Sequence, residues 1–162
     1  MKIAYDYPPN YKIIKKAFNL GEHENVIFTY GDTLYVPQGE KTKLDKPLMA
    51  HEEVHSRQQQ EIGASWWWDR FLSEPPFRLS QELEAYREQY KAMQNMPAKK
   101  RAGYLTHIAH DLSSEIYGSL MSFEEAVAVI TEGITFKRDN IVAKKARDLK
   151  KLARQNRKKG RK

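Results

Sequence analysis

Between Asp45 and Gly63 the residues Leu48, His51, Val54, His55, Gln58 and Ile62 recur at the i, i+3, i+4, i+7 spacing of one helix face. Asp45 is placed to cap the first turn, Pro47 falls where a missing N–H costs nothing, and Gly63 marks the end. Upstream, residues 11–18 form a short amphipathic helical pattern with Gly21 as its stop. Residues 26–30 and 33–37 are β-branched and aromatic runs on either side of Gly31 and Asp32, which predicts two strands joined by a two-residue turn. A loop follows over 38–43. Downstream, Trp66, Trp67 and Trp68 precede a break at Pro75 and Pro76. Ser80 can then cap a second strong helix over 81–93 that ends near Pro97. A third helix surrounds Tyr104–Ser114, and Ser122 with Glu125 forms a capping box for a fourth. One small β element followed mostly by helix defines the α+β class, with a β-hairpin near the N-terminus.

The charge divides the chain in two. Of 162 residues, 28 are Lys or Arg and 21 are Asp or Glu, a formal charge of +7. Residues 137–162 hold 13 basic and 2 acidic groups, a net of +11, so residues 1–136 carry a net of −4. The reading is one domain over 1–136 and a basic tail over 137–162. Within that tail Ile141, Val142, Ala146, Leu149 and Leu152 draw a thin helical stripe, and the residues from Arg154 onward have almost nothing to bury and read as disordered. There is no cysteine, which excludes disulfides, a cysteine nucleophile and any thiolate metal site. No apolar run approaches the ~20 residues of a membrane span, and the first residues lack a secretory leader's apolar stretch. The expected compartment is therefore the cytoplasm.

With cysteine absent, metal ligands must be His, Asp or Glu, and residues 51–55 concentrate them as His-Glu-Glu-Val-His. His51 and His55 stand one turn apart, so both imidazoles leave the same helix face and can grip one zinc ion. Glu52 points slightly aside, where a carboxylate can take a proton from a coordinated water whose pKa zinc brings to ~7. A catalytic zinc needs a third protein ligand. The next helix offers Glu82 and Glu84, whose i, i+2 spacing sends them ~200° apart, so both are not expected to face the first helix. His107 and His110 compete with them for the role.

Residues 51–59, HisGluGluValHisSerArgGlnGln, followed by GluLeuGluAlaTyr at 82–86, resemble the gluzincin-type zinc metallopeptidases, in particular small bacterial and phage-encoded peptidases. The resemblance spans about residues 45–90 and is loose over 112–126. It implies that His51, His55 and Glu82 are zinc ligands, that Glu52 is the general base, and that Ala85 is the small residue that lets the two helices approach. Tyr86 stands where larger relatives often have an Asp that supports a ligating histidine. The implied function is hydrolysis of a peptide or protein substrate, in a host cell's cytoplasm if the gene is phage-borne. Tyr86, Tyr117, His107 and His110 are candidates for stabilising the oxyanion, and the edge strand of the hairpin could hold a peptide by strand addition.

Other features read more plainly. Three consecutive indoles cannot all be buried on one side, so Trp66–Trp68 suggest core packing plus one interfacial ring. Gln58, Gln59 and Gln60 read as a solvated face, and Arg78 and Arg87 as surface partners of Glu residues with no role. The tail could contact nucleic acid through phosphates, although no aromatic residue interleaves its Lys and Arg beyond Phe136. The alternative function is accordingly a nucleic-acid-binding or phage-assembly protein with a structural or inactive zinc site. A hybrid, a protease brought to DNA by its tail, would resemble the SprT-like repair proteases, and that resemblance would imply a histidine as third ligand.

Overall fold

A computed structural model describes residues 1–20, 26–39 and 42–136. The basic tail, with the helix and the disordered end expected of it, lies outside the described residues, as does Gly21. Within them the chain is mostly helical with one small sheet, an α+β architecture.

The sheet has three strands, β1 (Lys2–Ala4), β2 (Phe28–Tyr30) and β3 (Thr33–Tyr35), in the order β1-β3-β2. The hairpin is the one the sequence predicts. Gly31, at φ 61, supplies the left-handed backbone that its turn requires. Strand β1 has no counterpart in the sequence reading. It pairs in parallel with β3, Ile3 opposite Leu34, and makes β3 the central strand. Three residues, the first two exposed, carry no alternation from which a strand could be read.

The helices are α1 (Tyr11–Ala17), α2 (Lys46–Ile62), α3 (Ala64–Ser73), α4 (Pro75–Ala92), α5 (Ala98–Leu112) and α6 (Phe123–Thr131). Helix α2 starts as its sequence requires, with the Asp45 carboxylate accepting from the Leu48 N–H at 3.1 Å and Pro47 in the first turn. Gly63, at φ 88, ends it and turns the chain directly into α3. The capping box of α6 also forms, Ser122 with Glu125.

Two boundaries differ from expectation. Pro75 and Pro76 are the first turn of α4 rather than a break ahead of a helix capped at Ser80. Proline suits a helix start, where its absent N–H leaves nothing unsatisfied. Ser80 lies inside the helix and donates to the Phe77 carbonyl at 2.7 Å. The tryptophans, read only as apolar side chains, belong to α3, where Trp67 and Trp68 are buried and Trp66 is 52% exposed. That division of the indoles is the expected one.

Burial is organised as two apolar clusters. One joins α4, α5 and α6 through Leu79, Tyr90, Ile108, Leu112 and Ile130. The other joins α1, β2 and α3 through Ile14, Phe28, Trp67, Trp68 and Phe71. Helix α2 packs chiefly on α4 and also touches β2 and α3. Its buried residues are mainly polar: His51, Glu52, His55, Ser56, Gln58 and Gln59. Buried polar groups are destabilising unless they are paired, so this helix must find partners on its neighbours. No described helix is long and apolar enough to cross a membrane.

Candidate metal centre

The partners of α2 come from both sides. From α4, Glu82 brings its carboxylate to the two histidines, with Oε2 3.4 Å from His51 Nε2 and Oε1 3.7 Å from His55 Nε2. The two ring nitrogens are 3.0 Å apart. All three residues are buried, and one donor atom from each lies within 4.8 Å of the others. Donors bound tetrahedrally at 2.0–2.1 Å around one zinc ion stand about 3.3 Å apart. The three measured separations bracket that value, so these residues fit a small divalent cation as they stand. Two imidazole nitrogens and one carboxylate oxygen are also a donor set that suits zinc.

Charge balances within the cluster. Burial pulls the His55 imidazolium down, but the facing Glu82 carboxylate, helped by Glu52 and Gln58, overrides it and raises the pKa to about 9. Burial pushes the Glu82 carboxyl up, yet His55 and His51 hold it well below the usual carboxylate range. The metal-free site therefore holds a proton on His55 against the Glu82 carboxylate.

Packing brings only one of the candidate third ligands to the two histidines. Glu82 and Glu84 both reach α2, against the expectation that one would face away, but they reach different flanks. Glu84 accepts from Gln58 Nε2 at 2.9 Å and pairs with Arg57 at 2.5 Å, outside the cluster. His107 is 72% exposed and faces Asp111 at 3.5 Å, and His110 packs its ring on Phe123. Neither histidine joins the cluster.

Gln58 and Gln59, read as solvated, are buried at 5% and 1%, while Gln60 does lie outside the core. Gln58 Oε1 lies 3.0 Å from His55 Nδ1 and receives its proton, which leaves Nε2 as the ring nitrogen that faces the cluster. Gln58 is itself held by the Gln81 carbonyl at 3.1 Å and by Glu84. Gln59 reaches the hairpin, taking the Gly31 N–H at 2.8 Å and donating to the Thr29 carbonyl at 2.9 Å. Trp68 Nε1 donates to the same carbonyl at 3.1 Å. Edge strand β2 is therefore closed by side chains at Thr29 and Gly31, and strand addition there would have to displace them.

Tyr86 does not replace a carboxylate as a support for histidine. Its ring packs edge-on to His51 with centroids 4.7 Å apart. Burial, then the nearby Glu82 carboxylate, push its hydroxyl well above the ordinary value. Burial pushes the nearby Asp111 carboxyl up, and His107 draws it partly back. His51 Nδ1 is buried without a hydrogen-bond partner among the described residues.

Glu52 is the remaining member. It is buried beside the cluster, and its Oε2 accepts from Thr29 Oγ1 at 2.8 Å. Thr29 was invisible to sequence reasoning. Only the alternation of the second strand, which turns position 29 toward α2, could have drawn attention to it. Glu52, His51, His55 and Glu82 all line one cavity of about 470 Å³, whose other walls include Phe18, Phe28, Trp68, Phe71, Arg78 and Tyr117.

Compared with known proteins, the chain matches no family model, no curated protein and no solved structure. The site's chemistry rests on its own residues.

Proposed function

We propose that the protein is a zinc-dependent hydrolase of peptide bonds, a small gluzincin-like metallopeptidase. One observation carries the reading: three buried donors at cation spacing stand beside a buried, hydrogen-bonded carboxylate, Glu52, at the wall of a cavity large enough for a substrate.

His51, His55 and Glu82 would hold the cation, which supplies Lewis acidity toward a carbonyl oxygen. Glu52 performs the proton transfers. Its Oε2 is fixed by Thr29, which leaves Oε1 to take a proton from the attacking water and return it to the departing amine. Gln58 keeps the His55 ring in the tautomer that presents Nε2.

The test is metal content and hydrolysis measured together. The parent should bind one zinc per chain and cleave an unstructured peptide. Glu52→Gln should keep the metal and lose hydrolysis. Glu82→Ala should lose the metal, whereas Glu84→Ala should retain most of it. Equal peptide hydrolysis by Glu52→Gln and the parent would sink the reading.

Nucleic-acid contact is a separable second reading, supported by the net charge of +11 over residues 137–162. It expects binding to fall steeply and linearly on a log–log scale with added salt. Salt-independent binding, or none at low salt, would remove it.

A further inference from the structure

The cavity is larger than a cation and one water require. Its apolar lining includes Phe18, Phe28 and Phe71, with the Phe71 ring centroid 6.3 Å from that of His55. The same cavity contains a cation that the proposed proton transfers do not use. Arg78 sits one turn before Glu82 on α4 and is 7% exposed. Its Nε donates to the Ile116 carbonyl at 2.8 Å, and its Nη1 donates to the Phe71 and Leu72 carbonyls. These are dipoles, not counter-ions, and the guanidinium also lies 5.3 Å from the Phe18 ring centroid and 5.9 Å from that of Phe71. No carboxylate forms an ion pair with Arg78 among the described residues, and its Nη2 has no acceptor among them. Glu82 is near enough to act on it electrostatically but directs its oxygens at the histidines. A buried guanidinium that lacks an anion is poised to take one.

We propose that the cleft binds the C-terminal residue of a peptide, its large apolar side chain against Phe18, Phe28 and Phe71 and its free carboxylate on Arg78. The proposal rests on the hydrolase reading and narrows it to removal of one C-terminal aromatic or long aliphatic residue. The bond that breaks is the last peptide C–N bond. The water oxygen joins the acyl carbon, and a proton joins the nitrogen of the released amino acid. The spacing suits this. Side chains at i and i+4 stand about 5–6 Å apart at their Cβ atoms. One residue, spanning at most about 3.6 Å, separates a terminal carboxylate from the scissile carbonyl.

Binding is read first, on metal-free, full-length protein, by the fluorescence of Trp67 and Trp68 in the cavity wall. N-acetyl-phenylalanine should bind at least tenfold more tightly than its amide and than N-acetylglycine. In Arg78→Gln the preference for acid over amide should fall below twofold. Arg78 also clamps backbone carbonyls, so a reading on the parent accompanies the variant: ¹⁵N signals of the arginine side chain should shift with the acid and not with the amide. Equal binding of acid and amide, or an acid preference that survives Arg78→Gln, would overturn the proposal. The zinc-loaded parent should then cleave benzoyl-glycyl-phenylalanine and not its amide. Cleavage of both at equal rates, lost in Glu52→Gln, overturns the proposal and leaves the hydrolase reading standing. Acid-selective binding through Arg78 without cleavage of any peptide supports the carboxylate pocket and overturns the hydrolase.

Discussion

The hydroxyl of Thr29, on strand β2, donates to the carboxylate of Glu52, on helix α2, across 2.8 Å. Twenty-three positions separate the two residues in the chain. The contact gives Glu52 a fixed geometry and leaves one of its oxygens free. Thr29→Val keeps the shape and removes the donor. A hydrogen bond to a charged group contributes about 1.5–3 kcal/mol, so hydrolysis should fall about ten- to a hundredfold. Zinc content should not change. Kinetics on the zinc-loaded variant, with metal stoichiometry measured in parallel, check this; unchanged kcat would dissociate Thr29 from the work of Glu52.

In the proposed zinc site, metal and proton would compete for the same nitrogen. Because the His55 pKa is raised to about 9 in the metal-free site, zinc must displace a proton at neutral pH. Apparent affinity should therefore rise with pH up to about 9 and level off above it. Calorimetry in buffers of different ionisation enthalpy should detect proton release near pH 7.

The same shifts set how the metal-free protein responds to pH. His55 has a folded pKa above its ordinary 6.5, so its stabilising contribution is complete below 6.5 and is lost as pH rises through about 9. The Glu82 carboxyl is held below its ordinary 4.5, so its contribution is present above 4.5 and is lost as pH falls through the depressed value. For this pair, stability is greatest between 4.5 and 6.5. Thermal melts with a chelator present should give a lower Tm at pH 9.5 than at pH 6, and added zinc should shrink the difference.

In the proposed zinc site Gln58 would act on the metal through His55. Gln58→Ala should lower zinc affinity about 10–100-fold, the usual effect of losing the group that orients a ligating imidazole. Competition with a chromophoric chelator measures it. Affinity equal to the parent's would show that His55 keeps its orientation without Gln58.

Gln59 acts on the fold instead. Gln59→Leu leaves the Gly31 N–H without its side-chain acceptor and removes one of the two donors to the Thr29 carbonyl. The expected destabilisation is about 1–3 kcal/mol, read from denaturant unfolding, with the hairpin still tied to α2 by Thr29–Glu52 and by Ser56 on the Gly31 carbonyl. A midpoint within error of the parent's would contradict it.

Local chemistry made much of this protein legible from its sequence. The Asp45 cap, Gly63 stop, Gly31 turn and Ser122–Glu125 box are each decided by neighbouring residues, so they could be read without a fold. The His51–His55 pair follows from helical pitch alone. Tertiary packing decided the rest. It chose Glu82 over Glu84 by directing one carboxylate to the histidines and the other to Arg57 and Gln58. It buried Gln58 and Gln59, whose polarity had argued for solvent, because the α2–α4 and α2–β2 interfaces supply their partners. It brought Thr29 to Glu52 and put Arg78 in the same cavity. Sequence periodicity records which face of a helix turns inward, but which groups meet there depends on the neighbouring elements, and those contacts leave no local pattern in the chain.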